Sequence, residues 1–129
     1  FVSTFLQEMY LGYCSCDFVI SRSGASTISE IIYFEKASIL IPFPLSSNSH
    51  QEQNATFLQE KVNCSIKLLQ KDVKVHIICD ILSDILTDKT KKKQMEEAID
   101  KYKNSKNQLS KKKDFAHLVY NLATKDKKS

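Results

Sequence analysis

The stretch DFVISRSGASTISEIIYFEKASILIPFP, from Asp17 to Pro44, decides the fold. It begins with a short apolar strand at Asp17–Ser21 and continues with a helix at Ser26–Phe34, whose isoleucines share one side. It ends in Ala37–Pro42, a continuous apolar run that is typical of a strand buried on both faces. Strand, helix and strand in this order predict a βαβ unit with parallel strands and a right-handed crossover.

The same alternation extends outward from this unit. A helix is expected before it, and a helix, a third strand and three more helices after it. The expected elements are Phe5–Tyr13, Gln51–Lys61, Cys64–Leu68, a helix capped by Asp72, and helices at about 91–104 and 110–124. We therefore predict an α/β fold, a Rossmann-like parallel sheet with flanking helices.

Length and composition fit one globular domain. The chain has 129 residues, 42% of them hydrophobic, which is enough for a modest core. No apolar run reaches the roughly 18 to 20 residues that span a bilayer. Because the chain starts at Phe1, in a strand-like stretch without a basic and apolar leader, we expect a piece of a longer protein with no visible secretion signal.

The cysteines do not indicate a metal site. There are four of them, at Cys14, Cys16, Cys64 and Cys79, and their spacings lack the paired ligands of a zinc site. We predict no metal and no cofactor. The expected state is that of reduced, mostly buried thiols in a cytosolic protein.

The positive charge leaves two interpretations open. The net charge is +4, and lysines crowd the chain from Lys89 onward. Such clusters bind the phosphates of nucleic acid or lipid, or they are solvated helix faces and a frayed terminus. Aromatic residues that would stack on bases do not interleave with the lysines, so a nucleic-acid partner is not expected.

Polar residues gather where the strands of the predicted sheet end. Ligands of parallel sheets bind at the carboxyl ends of the strands, and the loops Arg22–Ala25 and Pro42–His50 both leave strands there. The residues expected near one ligand are Arg22, Gly24, Glu30, His50, Gln51 and Asn54.

Gly24 is the most informative of them, because the chain has only two glycines. A glycine between a strand and a helix allows a positive φ and a close approach of ligand to backbone. The helix amides that follow favour anions, and Glu30 can accept hydrogen bonds from a ribose diol. The alternatives are a simple turn, and a capping box around Ser26. Two glycines exclude a dinucleotide fingerprint and a Walker loop.

The motifs at these positions resemble a known family. SRSGASTISEI from Ser21, IPFP from Ile41 and HQEQNA from His50, preceded by FLQEMYLGY from Phe5, are similar to the signature of the MurG glycosyltransferases, over about residues 1–70. Members of that family transfer N-acetylglucosamine from UDP-N-acetylglucosamine to lipid I, which makes lipid II for peptidoglycan.

The resemblance implies a place in a larger fold. The family has a GT-B fold, in which two Rossmann-like domains face a cleft. This chain would be the latter part of the C-terminal, donor-binding domain. Within this single partial domain, residues 1–70 would carry the UDP-sugar site and residues 71–129 would form a helical, lysine-rich part.

The resemblance also implies site residues. Leu6 would contact the uracil through its backbone, with Phe5 and Met9 as walls of that pocket, and Glu30 would hold the ribose hydroxyls. Gln51 and Asn54 would read sugar hydroxyls, beside His50. The full implied set for UDP-N-acetylglucosamine is Leu6, Met9, Arg22, Gly24, Ala25, Ser26, Thr27, Glu30, His50, Gln51 and Asn54.

The implied reaction is an inverting hexosyl transfer without a metal. This chain would bind the donor and stabilise the leaving group through helix N-terminal amides. No catalytic residue is implied, because the family's candidates for the base lie in parts that this chain lacks, and the chain alone is expected to be an inactive fragment.

The implied partners are UDP-N-acetylglucosamine, lipid I through the missing N-terminal domain, and the cytoplasmic face of the bacterial inner membrane, as a peripheral protein. Two alternatives stay open. One is a stand-alone UDP-sugar-binding subunit that needs a membrane partner. The other is a non-catalytic remnant whose basic face binds nucleic acid or lipid.

Overall fold

The computed structural model describes residues 1–45 and 50–125, with side chains up to residue 110. Three strands alternate with helices along the chain. The elements are α1 (Met9–Ser15), β1 (Val19–Ser21), α2 (Ala25–Phe34), β2 (Ser38–Leu40), α3 (His50–Phe57), a π-helical turn (Leu58–Val62), β3 (Ser65–Lys67), a 3₁₀ turn (Gln70–Asp72), α4 (Val75–Thr87) and α5 (Lys89–Lys125).

The strands form one parallel sheet in the order β1-β2-β3. Ser38 of β2 lies opposite Val19 on one side and Ser65 on the other. All three residues of β2 are buried, as its continuous apolar run predicts. The hydroxyls of Ser38 and Ser65 hydrogen-bond each other inside the sheet, so neither buried oxygen lacks a partner. The predicted fold class is confirmed.

The first helix begins later than the sequence predicts. It starts at Met9 and not at Phe5. The Ser3 hydroxyl accepts a hydrogen bond from the Phe5 amide and donates one to the Phe5 carbonyl oxygen. This local turn uses the backbone groups that a helix would need, which is how serine competes with helix formation.

One predicted helix is confirmed and one predicted cap is wrong. The segment Gln51–Lys61 is helical, α-helical to Phe57 and π-helical beyond it. Asp72 does not cap α4, because it lies in the 3₁₀ turn and its amide donates to Leu69. Lys74 precedes α4 instead, without a side-chain capping bond.

The two helices expected near the C-terminus form the single helix α5. The sequence from Lys89 onward has no glycine or proline that would end a helix. Its serines and asparagines each lower helix propensity by only about 0.5 kcal/mol, and the Ser105 hydroxyl donates back to the Tyr102 carbonyl oxygen within the helix. Polar residues in the middle of the segment therefore do not divide it.

The chain has two compact units, Phe1–Ile99 and Asp100–Ser129. In the first, Ala37, Ile85 and Met95 form a buried cluster, against which Phe18, Ile66 and Ile81 pack. This cluster brings α4 and the start of α5 against the sheet, at the end where the strands begin. The opposite end, where the strands end, is therefore left for a site.

The expectation of mostly buried thiols is wrong. Cys64 is buried, but Cys14 and Cys79 are exposed and Cys16 is half-buried; all four are free. The exposed thiols lie on α1 and α4. Across residues 1–45 and 50–125, none of the helices is both long and apolar enough to cross a bilayer.

Candidate functional site

The backbone conformation and the surroundings of Gly24 limit the possible reasons for a glycine at this position. Gly24 precedes α2 with φ −65° and ψ 159°, an extended conformation that any residue adopts. Gly24 therefore does not use the positive φ that glycine allows. A Cβ built on Gly24 would meet no heavy atom of the described residues within 4 Å. The protein's own packing does not require glycine. Glycine suits the position before a helix, and it also leaves space for a ligand beside the backbone.

The start of α2 has unpaired backbone donors. The first α-helical hydrogen bond, from an amide to the carbonyl oxygen four residues earlier, is donated by Ile28 to Gly24, at 3.0 Å. The amides of Ala25, Ser26 and Thr27 precede it and have no partner within the helix. No side chain caps this end, so the capping-box interpretation is wrong. Amides in this position favour an anion.

The serine hydroxyls around this helix start differ in what they bond. Ser29 donates to the Ala25 carbonyl oxygen, at 3.2 Å, and so belongs to the helix itself. Ser23 is fully buried and donates to the Gln51 carbonyl oxygen, at 2.6 Å. Ser26 is exposed beside the free amides. Of these hydroxyls, that of Ser26 is the one placed to meet a ligand.

The side-chain amides of Asn54 and Gln51 tie the start of α3 to the loops that follow β1 and β2. The Asn54 Nδ2 donates to the Ser23 carbonyl oxygen, at 2.9 Å. The Gln51 Oε1 accepts a bond from the Phe43 amide, at 2.8 Å. These amides, which were predicted to read sugar hydroxyls, therefore also hold the two loops together. Each keeps one further polar group, the Asn54 Oδ1 and the Gln51 Nε2, with capacity for a ligand.

Arg22 links the ends of all three strands. Its Nη1 donates to the carbonyl oxygens of Ile41 and Pro42, at 3.3 and 3.4 Å, and to the Gln70 Oε1, at 2.9 Å. Its guanidinium also lies over the Phe43 ring, 5.3 Å from the centroid. Arg22 thus has a structural role at the site edge, which the sequence motif alone did not show. Its predicted contact with a ligand stays a prediction.

A cavity of about 320 Å³ lies beside α1, β1 and α2. The predicted residues Leu6, Met9 and Thr27 all line it. Gly12 lines it too, and a Cβ there would lie 2.9 Å from the Leu6 Cδ2, so glycine lets Leu6 fold over α1. Phe5, expected as a further wall, is 76% exposed and is not among the lining residues.

Tyr13 is a candidate site residue that the sequence reasoning missed. It lines the same cavity, is 6% exposed, and hydrogen-bonds the predicted ribose ligand Glu30. Burial, followed by the bond to Glu30 and its negative charge, holds the pKa of Tyr13 well above its usual range. The sequence contained one signal for this contact. Glu30 and Phe34 lie four residues apart, on one face of the predicted helix, so a single aromatic residue can contact both.

The predicted site residues form two groups. Leu6, Met9 and Thr27 share the cavity, while Gly24, Gln51 and Asn54 meet where α2 and α3 begin. His50 is the exposed first residue of α3. Within the part of the chain that the structure describes, no three His, Cys, Asp or Glu side chains are grouped as metal ligands.

These features define an α/β domain in which helix amides that favour an anion lie at the ends of the strands, beside a pocket; nucleotide-binding sheets use the same arrangement. Residues 1–119 match the family model of the glycosyltransferase family 28 C-terminal domain. The chain belongs to this family. The predicted resemblance to MurG-type transferases is confirmed.

Relatives agree with the family assignment. The chain is 49% identical, over 78 residues, to the UDP-N-acetylglucosamine–N-acetylmuramyl-(pentapeptide) pyrophosphoryl-undecaprenol N-acetylglucosamine transferase of Prochlorococcus marinus (strain MIT 9301), covering 60% of this chain and 21% of that protein. It is 36% identical, over 102 residues, to the transferase of the same name from Protochlamydia amoebophila (strain UWE25), covering 79% of this chain and 27% of the other.

A solved structure has the same fold. The crystal structure of Acinetobacter baumannii MurG matches with a TM-score of 0.65 and 23% identity, over 74% of this chain and 27% of that one. The chain therefore spans only about a fifth to a quarter of the length of the curated relatives and the structure that it matches.

Proposed function

We propose that this chain is the donor-binding part of a transferase that moves N-acetylglucosamine from UDP-N-acetylglucosamine to lipid I, the undecaprenyl-diphospho-muramoyl-pentapeptide. The names of the relatives give the donor and the lipid-linked acceptor. The chain spans a small part of those relatives, so we assign it donor binding and assign the complete hexosyl transfer to a longer protein.

One observation supports this proposal above the others. A Cβ at Gly24 would meet no other heavy atom of the described residues within 4 Å, so the space beside this backbone is open. Helix amides without a partner in the helix lie next to that space. A diphosphate is the part of the donor that fits such amides. The cavity lined by Leu6 and Met9 is largely apolar in its residues and suits a flat base.

The chemistry proposed for this chain is support of the leaving group. When the sugar leaves, negative charge develops on the diphosphate. The amides of Ala25, Ser26 and Thr27 would hold that charge at the end of α2, as helix N-termini hold anions. We propose that Glu30 accepts the ribose hydroxyls and that Gln51, Asn54 and His50 face the sugar. The base that activates the acceptor is not assigned to this chain.

The proposed cellular place is the cytoplasmic face of the bacterial inner membrane, with peripheral attachment, since the acceptor named for the relatives carries an undecaprenol chain. We propose that the lysines at the start of α5 are solvated helix faces. Lys92 and Lys93 pair with Glu96 and Glu97 one turn further on, at 3.2 and 3.9 Å. Negligible affinity for duplex DNA at physiological salt is expected, and tight binding there would contradict this proposal.

Donor binding is tested by ligand-observed NMR of UDP-N-acetylglucosamine with this chain. UMP and UDP-galactose run as competitors, and Glu30→Ala is the test variant. Glu60→Ala is the matched control, since Glu60 is an exposed carboxylate on the π-helical turn. We expect specific signal in the wild type and the control, and a weakened signal in Glu30→Ala.

The result that refutes the proposal is equally clear. A sample that is folded by circular dichroism and shows no competition between UMP and the donor has no donor site. Equal binding by Glu30→Ala and wild type would refute the ribose assignment alone.

A further inference from the structure

The ring of Tyr13 is fixed between two helices. Tyr13 is the one buried residue of α1. Its ring stacks on that of Phe34 in α2, with centroids 5.0 Å apart and planes 2° from parallel. Phe34 is held in turn by an edge contact with Tyr33, at 4.9 Å. Stacked aromatic pairs add stability beyond their buried area, so the position of the Tyr13 hydroxyl is determined by packing.

That hydroxyl reaches Glu30. Glu30 and Phe34 lie four residues apart on α2, on one face of the helix. Tyr13 therefore contacts both, Phe34 through its ring and Glu30 through its hydroxyl. Because burial and the neighbouring carboxylate both raise the pKa of Tyr13, the phenol keeps its proton at neutral pH and acts as the donor in this bond.

The bond leaves Glu30 able to bind a ligand. A carboxylate has two oxygens with about four acceptor directions, of which Tyr13 occupies one. Glu30 is only half-buried, and Thr27, one turn earlier on α2, lines the same cavity as Tyr13. Glu30 lies three residues after Thr27, so it belongs to the face of the helix that borders the cavity.

We propose that Tyr13 is a positioning residue, which holds the Glu30 carboxylate in the orientation that accepts a ribose diol and so makes the site select ribose over 2′-deoxyribose. This inference rests on the proposed function, because it needs a uridine nucleotide in the cavity. A carboxylate on an exposed, freely rotating side chain loses rotamer entropy on binding. A carboxylate fixed in advance by Tyr13 avoids that loss.

The test compares the affinities of UDP and 2′-deoxy-UDP by isothermal titration. The variant is Tyr13→Phe, which keeps the stacked ring and removes only the hydroxyl. Tyr33→Phe is the matched control, because it removes the hydroxyl of a neighbouring tyrosine that is 73% exposed. Glu30→Gln and the double variant Tyr13→Phe/Glu30→Gln complete a cycle.

We expect Tyr13→Phe to lower the affinity for UDP about five- to tenfold, the net size of one ordinary hydrogen bond. Its affinity for 2′-deoxy-UDP should change by less than about twofold, and the double variant should match Glu30→Gln within about twofold. Tyr33→Phe should keep the wild-type preference for UDP.

Two results would overturn the inference alone. One is an unchanged preference for UDP in Tyr13→Phe. The other is an equal loss of both ligands, which would mean that Tyr13 supports only the fold. No UDP binding by the wild-type chain would overturn the proposed function and this inference together. Thermal unfolding of each variant, measured alongside, separates a lost bond from a lost fold.

Discussion

Replacing Gly24 by alanine separates a glycine kept for folding from one kept for a ligand. The backbone there is extended, and a methyl group would point into open space. Two small effects on stability oppose each other. Alanine is a poorer residue than glycine before a helix, by about 0.5–1 kcal/mol, but it restricts the unfolded chain, which stabilises the fold by about 0.4–1 kcal/mol. We expect Gly24→Ala to unfold within about 3 °C of the wild type.

Donor binding should change far more than stability. A methyl group on Gly24 adds an atom where the proposed diphosphate approaches the amides of Ala25 and Ser26. A hydrogen bond to a charged group contributes about 1.5–3 kcal/mol, so weakening one of these bonds lowers affinity by at least about tenfold. Titration with UDP-N-acetylglucosamine measures the loss. Ser29→Ala is the matched control, because that hydroxyl bonds its own helix.

Two outcomes would refute this reasoning. A folded Gly24→Ala protein that binds the donor as tightly as Ser29→Ala would show that no ligand approaches this backbone. A Gly24→Ala protein that unfolds more than about 10 °C lower would show that the glycine serves the fold, contrary to the open space beside it.

Three further outcomes are expected. Ile39→Ala, at a fully buried position of β2, should destabilise the protein by about 2–5 kcal/mol in urea unfolding; less than about 1 kcal/mol would mean a poorly packed sheet. Asn54→Asp should destabilise it by about 1–3 kcal/mol, because a carboxylate would face the Ser23 carbonyl oxygen, and Gln53→Glu is its exposed control. Burial raises the pKa of Cys64 to about 11. The unfolded thiol ionises first, so stability should fall between about pH 9 and 11, and a Cys64→Ala protein with the same slope would contradict this.

The sheet could be predicted because its pattern is local and strong. Ala37–Pro42 has no polar residue except Ser38, and only a strand buried on both faces explains such a run. The helix ends could not be predicted in the same way. Ser3 bonds Phe5 in a local turn, and Asp72 lies in a 3₁₀ turn. Such competing local structure determines where a helix begins, and the helix preference of a single residue does not reveal it.

The position of the candidate site stays a prediction of the motif, and the motif says less about the function of each polar group. Around Gly24 it combines open space beside the backbone with helix amides that favour an anion. It does not say which polar atoms bond the protein. That depends on loops 19 to 48 residues apart in sequence meeting at one edge, as Arg22 meets Ile41 and Gln70.

The polar groups of the motif therefore have two roles: some bond other loops of the protein, and others remain available to a ligand. Ser23, Arg22 and one atom each of Gln51 and Asn54 hold three loops in register across the strand ends. The amides after Gly24 have no partner in α2, and the Glu30 carboxylate has acceptor capacity beyond its bond to Tyr13. Buried polar groups are expensive unless they are paired, so the loop contacts are satisfied inside the fold, while the unpaired groups stand at its edge. This division predicts that variants of the first set lose stability and binding together, whereas a variant of Gly24 loses binding alone.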